Sequence, residues 1–175
     1  MSSFSTTVLV GGNDGAISQD ILFLDGDNNI VINNANKNQL DLKHPILQIA
    51  ISCGWVVDGF SVTYQLGDGS STTMTHGSQF SPSSAVITFN ANEKLVGVYG
   101  RAGLQTYYNR SLINNISFVI FDTVAGTTRT AGPYGNGSKS NQGTPFYVSD
   151  VMAFGSFAQP NAATVGLSGV FFYKS

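Results

Sequence analysis

Trp55-Val56-Val57-Asp58-Gly59-Phe60-Ser61-Val62-Thr63-Tyr64 is the stretch whose reading decides the fold class. β-Branched and aromatic residues fill it, and these fit a pleated, half-buried surface better than a helix. It reads as two strand runs about a central Asp58-Gly59. Just upstream, Ile46 to Ser52 alternates around Leu47, Ile49 and Ile51, the period of a strand with one buried face. Just downstream, Gly67-Asp68-Gly69 is a hairpin turn leading into Thr72–Thr75.

The same grammar continues outward. Toward the N-terminus, Val8-Leu9-Val10 runs into the tight loop Gly11-Gly12-Asn13-Asp14-Gly15. Ile21-Leu22-Phe23-Leu24 is a short apolar run closed by Asp25-Gly26, and the Asn-rich residues 27–44 form a polar excursion carrying one strand, Ile30-Val31-Ile32. Toward the C-terminus, Ala85–Phe89, Leu95–Tyr99, Ile113–Phe121 and Thr127–Arg129 read as strands. Ala131 to Gly143, rich in glycine, is the longest evident loop; Phe146–Ser149, Val151–Phe154 and Leu167–Tyr173 finish the chain. No segment carries a 3.6-residue apolar stripe of helical length. About a dozen short, evenly spaced strands mean an all-β sandwich, barrel or prism.

Composition agrees and excludes several functions. The chain of 175 residues suits a single domain over residues 1–175, long enough to bury a core without staples. Charged residues are 10% against a usual share of about 25%, Glu93 is the sole glutamate, and glycine occurs 20 times. A helical protein would spend Glu and Lys on its exposed turns. Eight Lys and Arg and a net charge of −2 build no phosphate-binding surface, so no nucleic-acid partner is expected. Cys53, the sole cysteine, allows neither an intrachain disulfide nor a thiolate metal cluster and reads as a small apolar filler. No apolar run reaches membrane-span length, and Met1-Ser2-Ser3-Phe4-Ser5 does not open a signal peptide. The expected location is cytoplasmic, or outside the cell after release without a signal peptide.

Candidate chemistry is sparse. His44 and His76 stand in no nucleophile motif, so no enzyme is expected. Asp25-Gly26-Asp27-Asn28-Asn29 lacks the glycine and the closing Glu of a calcium loop, with Ile30 and Asn36 in those places, and suits a turn instead. Gly11–Gly15 opens no helix and is no dinucleotide loop. What remains is glycine-bearing loops with short polar residues on a rigid β scaffold. Such loops suit neutral polyols, because a carboxylate accepts from two adjacent hydroxyls while backbone N–H groups donate back.

The order of the segments then resembles the jacalin-related lectins of mannose-binding type. The resemblance rests on Gly11-Gly12-Asn13-Asp14-Gly15, Val56-Val57-Asp58-Gly59-Phe60, His76-Gly77-Ser78, Glu93-Lys94-Leu95-Val96-Gly97-Val98, Gly132-Pro133-Tyr134-Gly135, Gly143-Thr144-Pro145-Phe146 and Phe154-Gly155 through Gly169-Val170. It implies a β-prism of three four-stranded Greek-key sheets with pseudo-threefold symmetry. It also implies metal-independent binding of mannose- or glucose-type glycans, no cofactor, and self-association as a homo-oligomer. The family's main site pairs the first glycine loop with a Gly-x-x-x-Asp loop before the last strand. Here Gly12 and Gly15 supply the glycine half, Gly166 falls where the Asp belongs, and Asn161 or Asp14 is the candidate substitute. The second site is implied at Trp55, Val56, Val57 and Asp58, opposite Gly77 and Phe80. Trp55 either stacks on a sugar face or packs at the sheet edge, and Asp58 either binds sugar or caps a turn. The third key's equivalent loop is placed at Ser111–Phe118, with Asn114 in the Asp position. The rival expectation is a prism whose sugar sites have decayed and which acts through protein contacts.

Overall fold

The computed structural model describes residues 5–78, 85–135, 142–159 and 166–174. The strands in the first part are β1 (Ser5–Thr6), β2 (Val10–Gly11), β3 (Ala16–Gln19), β4 (Ile21–Leu24) and β5 (Ile30–Ile32). Next come β6 (Ile46–Cys53), β7 (Val57–Gln65), β8 (Ser71–Gly77), β9 (Ala85–Thr88), β10 (Glu93–Gln105) and β11 (Arg110–Asp122). The last are β12 (Thr127–Gly135), β13 (Thr144–Ser149), β14 (Val151–Ala158) and β15 (Leu167–Lys174).

Three antiparallel sheets share one plan. The second sheet runs β8-β7-β6-β9 and the third β12-β11-β10-β13. In the first, β15 and β14 are central, β3 forms one edge, and β1 and β2 share the other. In the second and third sheets the fourth strand in chain order lies beside the first, which is a Greek key. The N-terminal strands thus complete a sheet whose inner pair is C-terminal.

Alternation along the strands sends one face of every sheet inward. Phe60, Val62 and Tyr64 of β7 are buried, as are Phe118 of β11, Phe154 of β14 and Phe172 of β15. Phe154 stands 5.4 Å from Phe60 and 5.6 Å from Phe172, ring centre to ring centre, so the sheets meet in one aromatic core. Each such ring, fully buried, stabilises by roughly 1.5–3 kcal/mol.

The structure departs from the sequence reading at several points. Asp58-Gly59 is no turn, because β7 runs through it unbroken. β10 and β11 each extend over 13 residues, and β12 reaches into the supposed loop as far as Gly135. The glycines that resembled punctuation instead let backbones approach closely, since a Cβ at Gly100 would collide with the carbonyl of Asn115. The 27–44 excursion adds a fourth, two-stranded sheet, β4 with β5. Its Ile30, Ile32 and Leu40 join the main core, and Leu40 bridges to Leu66. The Asp25 carboxylate accepts from the N–H groups of Asp27 and Asn29 and from the amides of Asn29 and Gln39, which keeps it below its ordinary range; this is an Asx turn, not a calcium loop.

Two polar clusters cross between sheets. Arg129 grips both carboxylate oxygens of Glu93 at 2.6 and 2.9 Å and also donates to the Thr88 carbonyl. These bonds, with the Asn90 N–H, hold the Glu93 carboxyl down to about 2. The second cluster lies in the core. The Tyr64 hydroxyl donates to Asp20 Oδ2 at 2.5 Å, His76 Nε2 stands 3.0 Å from the same oxygen, and His76 Nδ1 stands 2.7 Å from Ser156 Oγ. With Nε2–H donating to Asp20, Nδ1 is left to accept from the Ser156 hydroxyl. The ring of His76 also stacks on Phe60 at 4.5 Å. No motif or spacing in the chain signals that His76 meets a serine and an aspartate. Yet Ser156 and Asp20 have zero exposure and His76 1%, so no substrate reaches the serine and the arrangement is a structural tie.

Candidate functional site

At one end of the molecule the described residues that flank the strands of the three sheets come together. Each sheet's loops touch the next sheet's. Gly166, before β15, lies against Ser78, after β8. Gly135, at the end of β12, lies against the backbone of Val56, before β7. Gly12, after β2, lies against Ser111 of β11, where a Cβ would come 2.7 Å from the Ser111 carbonyl.

In the second sheet, Asp58 sits at a bulge. The inner pair matches Ser52 with Gly59 and then Cys53 with Val57, so Asp58 is the extra residue and its side chain is turned out of the ladder. Across the loop, Gly77 adopts a φ of +73° and packs on the Asp58 carbonyl, where a Cβ would come within 2.6 Å. The Ser78 N–H donates to that same carbonyl at 3.0 Å. The carboxylate itself is half-buried, and no donor among the described residues bonds it. Desolvation pushes its pKa up to about 6. Val56 and Val57 are fully buried and contribute backbone and packing only. Trp55 is 47% exposed at the loop tip, with its ring 4.9 Å from that of Tyr107 in a T-shaped pair. Phe80 lies outside the described residues.

In the first sheet, the glycine half is largely consumed by packing. Gly15, at φ +95°, lies against the Ala158 carbonyl, and Gly12 N–H donates to the Ser168 carbonyl at 2.8 Å. The Asp14 carboxylate pairs with Arg110 at 3.6 Å, beside a cavity of about 430 Å³ lined by Gly12, Asn13, Asn109 and Ser111. Asn161 lies outside the described residues.

The model of the jacalin-like lectin domain matches residues 9–159, most of the chain. The chain belongs to that family. Solved structures of similar fold include the mannose-specific jacalin-related lectin of Morus nigra, seen in complex with mannose, at 23% identity and TM-score 0.68, covering 100% of this chain and 96% of that one. The mannose-binding lectin of champedak is similar at 21% identity and TM-score 0.69, covering 100% and 99%. The Malaysian banana lectin is similar at 19% identity and TM-score 0.66, covering 98% and 97%. No curated protein matches the sequence. At these identities the likeness is one of fold, and it identifies the three sheets as the faces of a β-prism.

The jacalin-like domain carries its symmetry in its bulges. The inner pair of the third sheet slips at Arg101/Ala102, leaving Asn114 as the extra residue, and that of the first slips at Phe157/Ala158, leaving Ser168. Asp58, Asn114 and Ser168 are therefore equivalent. This revises two sequence expectations. Ser168, two residues beyond Gly166, holds the symmetric position in the first sheet. It is buried, and its hydroxyl bonds the Asp14 and Phe157 carbonyls. Ser111–Phe118 is not a loop but lies within β11; Asn114 does face Gly135 and Gly143, yet it is 3% exposed and its amide has no hydrogen-bond partner. The third sheet's inner loop is Thr106-Tyr107-Tyr108-Asn109 instead. Its two tyrosines stand in no motif, and their place between two long strands is the signal that marks them.

Proposed function

We propose that this jacalin-like domain binds mannose- or glucose-type glycans at the loops of its second sheet, without metal or covalent chemistry. The observation that carries the reading is the Asp58 carboxylate. A half-buried carboxylate without donors is unfavourable unless a ligand supplies them. Adjacent sugar hydroxyls do so, and the exposed face of Trp55 offers an apolar surface for the ring beside them. The mannose specificity named for the Morus nigra lectin and the mannose binding named for the champedak lectin support the choice of sugar. No group of three or more metal-ligating side chains converges among the described residues.

Trp55 is the sole tryptophan of the chain, so indole fluorescence reports on this loop alone. Titration with methyl α-mannoside is expected to shift Trp55 emission saturably, with a Kd of about 1 mM, near −4 kcal/mol, and equally in EDTA. Silent emission while mannoside binds elsewhere would refute the location; no binding would refute the function.

Affinity this weak is useful only when several sites act together, and we propose self-association. Ile17, Val86 and Tyr147 are exposed on the edge strands β3, β9 and β13, one per sheet. Sedimentation at high concentration is expected to show a dimer or larger species; a strict monomer would overturn this.

A further inference from the structure

The second-sheet site does not end at its own loops. Tyr107 belongs to the inner loop of the third sheet, yet its ring meets Trp55 at 4.9 Å with the planes at 80°, and Tyr107 meets Tyr108 at 5.1 Å. Tyr107 is 72% exposed, an unusual state for an aromatic ring with no core to join. Tyr108 beneath it packs on Val56 and Leu112. Val56 stands two residues before Asp58, so the tyrosine pair adjoins the segment that carries the carboxylate. The loop is braced. The Gln105 side chain accepts from the Tyr108 N–H at 3.1 Å and the Gln142 side chain from the Thr106 N–H at 2.6 Å.

Two near-perpendicular exposed rings beside an unpaired acceptor make a corner, and one pyranose covers only one wall of it. We infer that Tyr107 forms a second stacking subsite, so that the site spans two sheets and takes at least two consecutive sugar rings. The inference rests on the glycan reading above. Ring one is held by Asp58 and Trp55, while ring two lies on Tyr107. A ring of the next residue, turned relative to the first by its glycosidic bond, matches planes at 80°. The braced loop supplies the surface without an ordering cost.

The test compares methyl α-mannoside with mannobiose and mannotriose by calorimetry, on the wild-type chain, Tyr107→Ala and Tyr107→Phe. The wild type is expected to favour the oligosaccharides by about tenfold, the scale of one aromatic contact. Tyr107→Ala is expected to reduce that preference to about twofold or less while leaving monosaccharide affinity within about twofold, and Tyr107→Phe to keep it. A preference that survives Tyr107→Ala, or a loss of equal size for both ligand classes, would overturn the second subsite and leave the glycan reading standing. Equal wild-type affinity for all three sugars would do the same. Absence of binding by the wild type would overturn both.

Discussion

Asp58→Ala is expected to weaken methyl mannoside binding by roughly ten- to a hundredfold, because a charge-assisted hydrogen bond is worth about 1.5–3 kcal/mol. Asp58→Asn tests the charge separately from the shape. Binding to the wild type is expected to be flat above pH 7 and to fall as pH drops through about 6, where the carboxyl takes up its proton. The asparagine variant should show no such fall. The same group bears on stability with the opposite sense. The folded chain holds the Asp58 proton up to about pH 6, the unfolded chain only to about 3.8. Its contribution is thus full below pH 3.8 and lost as pH rises through about 6. At neutral pH the charge is therefore destabilising, and Asp58→Asn should raise stability. Half-exposure and solvent screening reduce the expected gain to about 1 kcal/mol, or about 2–4 °C in Tm. Weaker binding with a higher Tm would mark a residue kept for its ligand. Unchanged mannoside affinity in both variants would remove Asp58 from the site.

Asp20→Ala is expected to be the most damaging single change to the fold. One carboxylate oxygen serves the Tyr64 hydroxyl and the His76 ring, all at 1% exposure or less, and links the β3–β4 junction to β7, β8 and, through Ser156, β14. Its removal leaves two buried donors short of a partner, a loss of about 3–5 kcal/mol. For a chain of this size that lowers Tm by roughly 6–20 °C. Tyr64→Phe keeps the ring and should cost less, about 1–3 kcal/mol. Urea denaturation checks both: Cm should fall at constant m. A change within about 0.5 kcal/mol for Asp20→Ala, the range of neutral surface substitutions, would show that the cluster is not a structural tie. The cluster also serves the loops, since His76 precedes Gly77, whose backbone packs on the Asp58 carbonyl. Loosening it should weaken sugar binding as well.

Much of this protein was legible along the chain. The strand class of the described residues follows from local rules. Alternation around Ile49 or Val62 reports a buried face directly, and Glu93 as the lone glutamate reports how little exposed helix there is. Asp58 stands out as a candidate too, because its neighbours fix it within a short motif. Other features depend on register and closure, which no local window holds. The equivalence of Asp58, Asn114 and Ser168 appears only when inner strands slip by one residue in all three sheets. The resemblance places Asn114 in a loop, at the Asp position of the third key, but pairing across 13-residue strands pulls it inside. His76, Asp20 and Ser156 are up to 136 positions apart in the chain and meet because the first and second sheets pack on one core. Tyr107 meets Trp55 for the same reason: inner-loop tips 52 positions apart are brought together at one end of the prism. The sequence by itself determined which residues could form strands and offer acceptors; closure of the prism decided which of them stand beside one another, because side-chain contacts across sheets are set by strand register and not by spacing in the chain.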